Sequence, residues 1–185
     1  MLAREMLAVR AQSGLDHLDI QCLPAILHNH PDRIAPALDA AIWQARRAGF
    51  ERVFVAYADC GSGGAIDRVC ERHGVERIAG PHCFSFYCGT DSFAAAGEDE
   101  YLTTFFLTDF LARHFRTFCI EPLGLDRHPE LRDTYFGHYT RALYLAQTDD
   151  PDLDAKARRA ADALGLVYER RLTGYGDLAG ALRSA

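Results

Sequence analysis

The chain has 185 residues, 49% of them hydrophobic and 25% charged, which is the size and balance of one folded domain and excludes global disorder. No stretch approaches eighteen uncharged apolar residues, so no membrane-spanning helix is expected. A formal charge of −6 argues against nucleic acid as a partner.

Met1 to Arg10 lacks the apolar core of a secretory signal. A cytoplasmic chain follows as the expectation, with its six cysteines reduced. They then serve as free thiols, metal ligands or nucleophiles rather than as staples.

Taken in chain order, Leu15–Leu23 reads as a short strand. Asp32–Gly49 carries Ile34, Ala37, Leu38, Ala41, Ile42 and Ala45 at helical spacing and ends in glycine. Arg52–Tyr57 is a compact apolar run, the mark of a buried parallel strand. Ser62–His73 reads as a helix stopped by Gly74, and Val75–Gly80 as a second short strand. Phe84–Cys88 is strand or turn, Gly97–Glu100 an acidic loop, and Tyr101–Leu107 extended. Thr108 is placed to cap a helix over Asp109–Phe115. His128–Tyr139 reads as helix, Arg141–Gln147 as strand, and Asp152–Leu164 as an amphipathic helix closed by Gly165. Leu166–Leu172 is a last strand and Asp177–Leu182 a last helical turn.

Strands alternating with helices mean βαβ units. The expected fold is a single α/β domain over residues 1–185, a Rossmann-like three-layer sandwich with a mostly parallel sheet of five or six strands. Ligands of such sheets bind beyond the carboxyl ends of the strands. Three loops at those ends carry chemistry.

Tyr57-Ala58-Asp59-Cys60-Gly61-Ser62-Gly63-Gly64 joins the best strand to a helix. Gly61, Gly63 and Gly64 permit close backbone approach, so the loop suits a cofactor or an anion held by backbone amides. A thiol beside a helix N-terminus is favoured as thiolate, which makes Cys60 a ligand or a nucleophile. A tight turn around a buried thiol is the plainer alternative. Gly80-Pro81-His82-Cys83 follows the next strand. It brings an imidazole and a second thiol to the same edge, and Cys60, His82 and Cys83 together suit zinc or another transition metal. His82 as a turn residue and Cys83 as a core residue remain the alternative. Leu27-His28-Asn29-His30-Pro31 is the third loop, where His28 can move protons or bind substrate and Asn29 can bind a cofactor or cap a helix. Thr173-Gly174-Tyr175-Gly176 follows the last strand, and Tyr175 suits stacking on a flat ligand. Gln147–Pro151 fits an N-cap better than a site. Cys22, Cys70 and Cys119 read as buried and inert.

The motifs LHNHP, YADCGSGG and GPHCFSFYCG in this order, with a C-terminal TGYGDL, resemble the family called domain of unknown function 1638. The resemblance covers nearly the whole chain. Members are often found beside corrinoid proteins and methyltransferases, which implies a role in one-carbon metabolism and a corrinoid supplied through a partner. The resemblance also implies a first hydrophobic strand ending in Cys-Gly, before a helix that Met1–Glu5 would continue. That strand and its thiolate are expected to be missing here.

Three functions stand open. The first is a metal- or cofactor-binding protein linked to corrinoid-dependent methyl transfer, with His28 assisting Cys60, His82 and Cys83. The second is a metal-free enzyme with Cys60 as nucleophile and His28 or His82 as base. The third is a non-catalytic partner docking on a corrinoid protein or methyltransferase. The expected partner is a small molecule or a corrinoid protein, and a homodimer stays open for so short a chain.

Overall fold

The computed structural model describes residues 2–95 and 101–185, and the acidic loop expected over Gly97–Glu100 lies outside them. The chain forms two compact units, one of Leu2–Phe86 with Asp177–Ala185 and one of Tyr87–Gly176.

The first unit opens with helix α1 (Ala3–Ser13), closed by Gly14 in the left-handed conformation. The strand expected over Leu15–Leu23 does not form. Arg10 donates to the carbonyls of Leu15 (3.3 Å) and Asp16 (2.9 Å), and the Leu18 N–H turns back onto Leu15 (3.1 Å). The start of the segment is thus turned back on itself instead of extended. A 3-10 turn at Pro31–Arg33 leads into α2 (Ile34–Arg47). Proline suits that start because its missing N–H would have no helical partner. Ile34, Leu38 and Ile42 recur every fourth residue and are buried with Val55, Ile66 and Val69 in one core.

β1 (Phe54–Val55), α3 (Ala65–His73) and β2 (Glu76–Arg77) make a βαβ unit in which the two strands are parallel. Both strands are shorter than the apolar runs suggest. Arg77 Nη1 donates to the Tyr57 and Ile78 carbonyls (3.3 and 2.8 Å), so side-chain bonds replace ladder bonds. The two segments nevertheless stay side by side. Ile78 N–H donates to the Val55 carbonyl, Asp59 N–H to Gly80 and Cys60 N–H to Pro81, at 2.9–3.0 Å. Ser85–Cys88 is a helical turn, α4, rather than a strand.

The second unit runs through α5 (Thr90–Ala95), β3 (Thr104–Thr108), α6 (Asp109–Arg113), α7 (Arg132–Phe136), β4 (Arg141–Ala146), α8 (Pro151–Leu164) and β5 (Val167–Leu172). Its three strands are parallel in the order β3-β4-β5. Thr108 caps α6 as expected, its hydroxyl accepting from Leu111 N–H. The helix expected over His128–Tyr139 is a 3-10 turn (Pro129–Leu131) followed by the short α7, and a π-helical turn (Arg116–Ile120) precedes it. β4 is central and buried from Ala142 to Ala146, which explains its unbroken apolar run. Asp150 caps α8, accepting from Asp152 and Leu153 N–H, and Gly165 closes it in the left-handed conformation. After β5 the chain returns to the first unit with α9 (Asp177–Ser184), which packs on α1 and buries Leu178 and Leu182.

The α/β character holds, but the single sheet of five or six strands does not. Two parallel sheets of two and three strands form instead. Among the described residues, no helix is long and apolar enough to cross a membrane.

Candidate functional site

The loop after β1 is built around Asp59. Its carboxylate accepts from the Ser62 hydroxyl (2.7 Å), the Gly64 N–H (2.8 Å) and the Gly63 N–H (3.3 Å). Those bonds, the Ser62 hydroxyl first, hold the Asp59 carboxyl below its ordinary range. The amides of Gly63 and Gly64, read from the sequence as an anion cradle, are thus taken by the chain's own carboxylate. Gly61, Gly63 and Gly64 all have φ between +61° and +80°. Cys60 has φ +49°, and among the described residues it is the one non-glycine in that region. A side chain held there costs about 1 kcal/mol or more, so the surrounding bonds must enforce it. The Cys60 N–H bond to Pro81 is one of them.

Cys60 Sγ lies 3.6 Å from Cys83 Sγ. Both residues are half-buried. The Cys83 S–H, and then its backbone N–H, favour the thiolate at Cys60 and lower its pKa against the opposing cost of burial. Cys83 moves the other way, well above an ordinary thiol, because it serves as the donor and because it is buried. The pair therefore carries its charge on Cys60. Burial pushes the nearby Tyr57 phenol up to about 12, with the charges of Cys60 and Cys83 adding to the effect.

The Leu27–Pro31 segment abuts this loop. A Cβ built on Gly61 would sit 3.8 Å from Pro31 Cβ and Cγ. His28 and Asn29 end a 3-10 turn (Ala25–Asn29) just before that proline. Desolvation lowers the His28 pKa first, and His82 acts in the same direction. Desolvation also lowers His82, against the pull of Asp59. The His82 ring is stacked on Phe84 with centroids 4.9 Å apart. Asn29 Nδ2 is a buried donor with no partner among the described residues, and a buried orphan of this kind marks a place for a ligand acceptor or a water.

The two sulfurs suit a soft metal. A tetrahedral zinc with bonds of about 2.3 Å places two thiolates about 3.8 Å apart. The observed 3.6 Å is close to that spacing and far longer than a disulfide of about 2.05 Å. Among the described residues, no group of three or more His, Cys, Asp or Glu side chains is gathered as ligands. The chain itself thus presents two sulfurs in contact, with the charge on Cys60 and the thiol proton on Cys83.

The structure brings Cys60 and Cys83 into contact, sets Gly61 against Pro31, and holds His28 where it senses His82. Tyr175 belongs to the other unit, in the turn after β5. Sequence reasoning missed two groups at this loop. Asp59 positions the loop, and Arg77 holds the Tyr57 carbonyl and pairs with Asp67. An Asx-like carboxylate ahead of a Gly-Ser-Gly-Gly run was the available signal for Asp59. Nothing local marked Arg77.

The family model described as Protein of unknown function (DUF1638) matches residues 22–182. The chain belongs to that family. The DUF1638 match spans all three loops of the site and both sheets, so the resemblance drawn from the motifs holds over nearly the whole chain. No curated protein and no solved structure matches the chain.

Proposed function

We propose that this DUF1638 protein is a metal- or cofactor-binding protein serving corrinoid-dependent methyl transfer in one-carbon metabolism, with Cys60 and Cys83 as its thiolate ligands. The observation that carries the reading is the 3.6 Å separation of the two sulfurs, the spacing of two thiolates on one tetrahedral ion. His82, next to Cys83 in the chain, is the nearest imidazole by sequence to complete the set, and His28, on the neighbouring loop, is the second candidate. The Asp59 clamp on Ser62, Gly63 and Gly64 fixes where Cys60 points. The unpartnered Asn29 Nδ2 offers a hydrogen bond to an acceptor on the ligand. A bound zinc or similar ion would supply Lewis-acid activation of a thiol or another nucleophile for methyl transfer. The corrinoid comes from a partner protein, in line with the association that the family resemblance implies.

The test is elemental analysis of anaerobically purified protein. Wild type should hold about one zinc or iron per chain, as a single tetrahedral site requires. The double variant Cys60→Ser/Cys83→Ser should hold none. Equal metal in both would overturn the reading.

A second reading has its own support. The Cys83 S–H and N–H both favour a thiolate at Cys60, which is what a cysteine nucleophile needs. It predicts that Cys60 is alkylated faster than the exposed Cys22 in metal-free protein, and that Cys83→Ser slows it. Equal rates at Cys60 and Cys22 would remove its basis.

A further inference from the structure

We propose that Cys60 and Cys83 form a reversible intrachain disulfide, which makes this chain a dithiol–disulfide couple that exchanges with disulfides. Two observations on the backbone carry this beyond sulfur proximity. The Asp59 N–H to Gly80 and Cys60 N–H to Pro81 bonds, at 3.0 and 2.9 Å, tie the two loops together past the ends of β1 and β2. The second bond holds the Cys60 backbone against Pro81, two residues before Cys83. The two sulfurs are already in contact at 3.6 Å, so forming the bond brings them about 1.6 Å closer.

The step balances with a disulfide R–S–S–R as oxidant. The Cys60 thiolate attacks one sulfur, the S–S bond of the oxidant breaks, and RS⁻ leaves. Cys83 then attacks Cys60 Sγ, expels the second RS⁻, and its proton goes to a released thiolate. Cys60 and Cys83 lose two electrons together, and the oxidant gains them as two thiols. Of the other thiols, Cys70 and Cys119 are buried in separate cores, Cys22 is exposed in an irregular segment, and Cys88 is half-buried at the end of α4.

This inference does not rest on metal binding. A chain that binds no zinc can still form the bond, and a chain that binds zinc here can fail to form it. The experiment uses the full chain treated with chelator and equilibrated with mixtures of reduced and oxidised glutathione. Free thiols are then alkylated and the peptides mapped by mass spectrometry. Expected is the loss of Cys60 and Cys83 from the alkylated peptides, the appearance of one peptide linking Cys60 to Cys83, and full recovery of both thiols with dithiothreitol. In Cys83→Ser, Cys60 should stop as a mixed disulfide with glutathione. Separate glutathione adducts on Cys60 and Cys83, or both of these residues still alkylated at the most oxidising ratio, would overturn the proposal.

Discussion

Gly80 separates β2 from the second cysteine and shows why single residues matter at this edge. Its carbonyl accepts the Asp59 N–H, and its φ of +152° is one that side chains rarely adopt. A Cβ there would come 2.8 Å from Phe86 Cε1 and 2.9 Å from Ser85 Oγ, both on fully buried residues. Neither neighbour has room to yield. Gly80→Ala should cost about 1–3 kcal/mol, the usual penalty for overpacking a core, read as a lower urea midpoint. An unchanged midpoint would mean that the pocket around Phe86 is looser than its burial implies. The sequence marked Gly80-Pro81-His82-Cys83 as chemistry, but the crowding of Phe86 onto Gly80 was not legible, because it depends on how α4 folds back. Cys60 and Cys83 were legible as residues at strand ends. Their meeting at 3.6 Å was not.

At the scale of elements, the carboxyl ends of β3 and β4 are stitched by one buried carboxylate. Asp109 accepts from the Tyr144 hydroxyl (2.7 Å), the Gln147 N–H (3.0 Å), the Thr148 N–H (3.1 Å) and the Thr148 hydroxyl (2.6 Å). Its own N–H donates to Gln147 Oε1 at 2.7 Å. Burial and this carboxylate together push the Tyr144 phenol far above its ordinary pKa, so it stays a donor. Asp109→Ala would strand several buried donors at once, at a cost of about 1–3 kcal/mol for each left unsatisfied. The expected total is about 3 kcal/mol or more. Tyr144→Phe leaves the other three bonds to the carboxylate in place and should cost about 1 kcal/mol. Urea unfolding of both variants checks the ratio, and similar losses would show that Tyr144 rather than Asp109 holds the ends together. Helix boundaries in this region were legible where a cap announced them, as at Thr108, Asp150 and Gly165. The π-helical turn at Arg116–Ile120 carried no such signal.

For the whole molecule, acidity is the condition that should test the fold. In the first unit Asp39 of α2 accepts from His73 and Arg72 of α3, both at 2.9 Å on the same oxygen. The His73 bond first, and then the charge of Arg72, lower the Asp39 carboxyl from its ordinary 3.8. Asp67 is lowered too, chiefly by its bond to Arg77. A carboxylate whose folded pKa is depressed stabilises the fold above its unfolded value and loses that contribution as pH falls through the folded one. Melting temperature should therefore drop below about pH 4, and the double variant Asp39→Asn/Asp67→Asn should show a smaller drop between pH 7 and pH 3. An equal drop in variant and wild type would place the acid sensitivity elsewhere.

What the sequence determined by itself is the local layer: βαβ alternation, the ends of α2, α3 and α8, the buried β4, and the strand-end loops that hold the thiols. These follow from spacing, capping and turn chemistry within a few residues of one another. What only the tertiary structure decided is pairing. The strands join as sheets of two and three instead of one, and Leu15–Leu23 forms no strand, its first two carbonyls being held by Arg10. Cys60 and Cys83, 23 residues apart, become one site because the backbone bonds past β1 and β2 tie their loops together. Such bonds join residues far apart in the chain, and their partners are set by burial and geometry that no local pattern encodes.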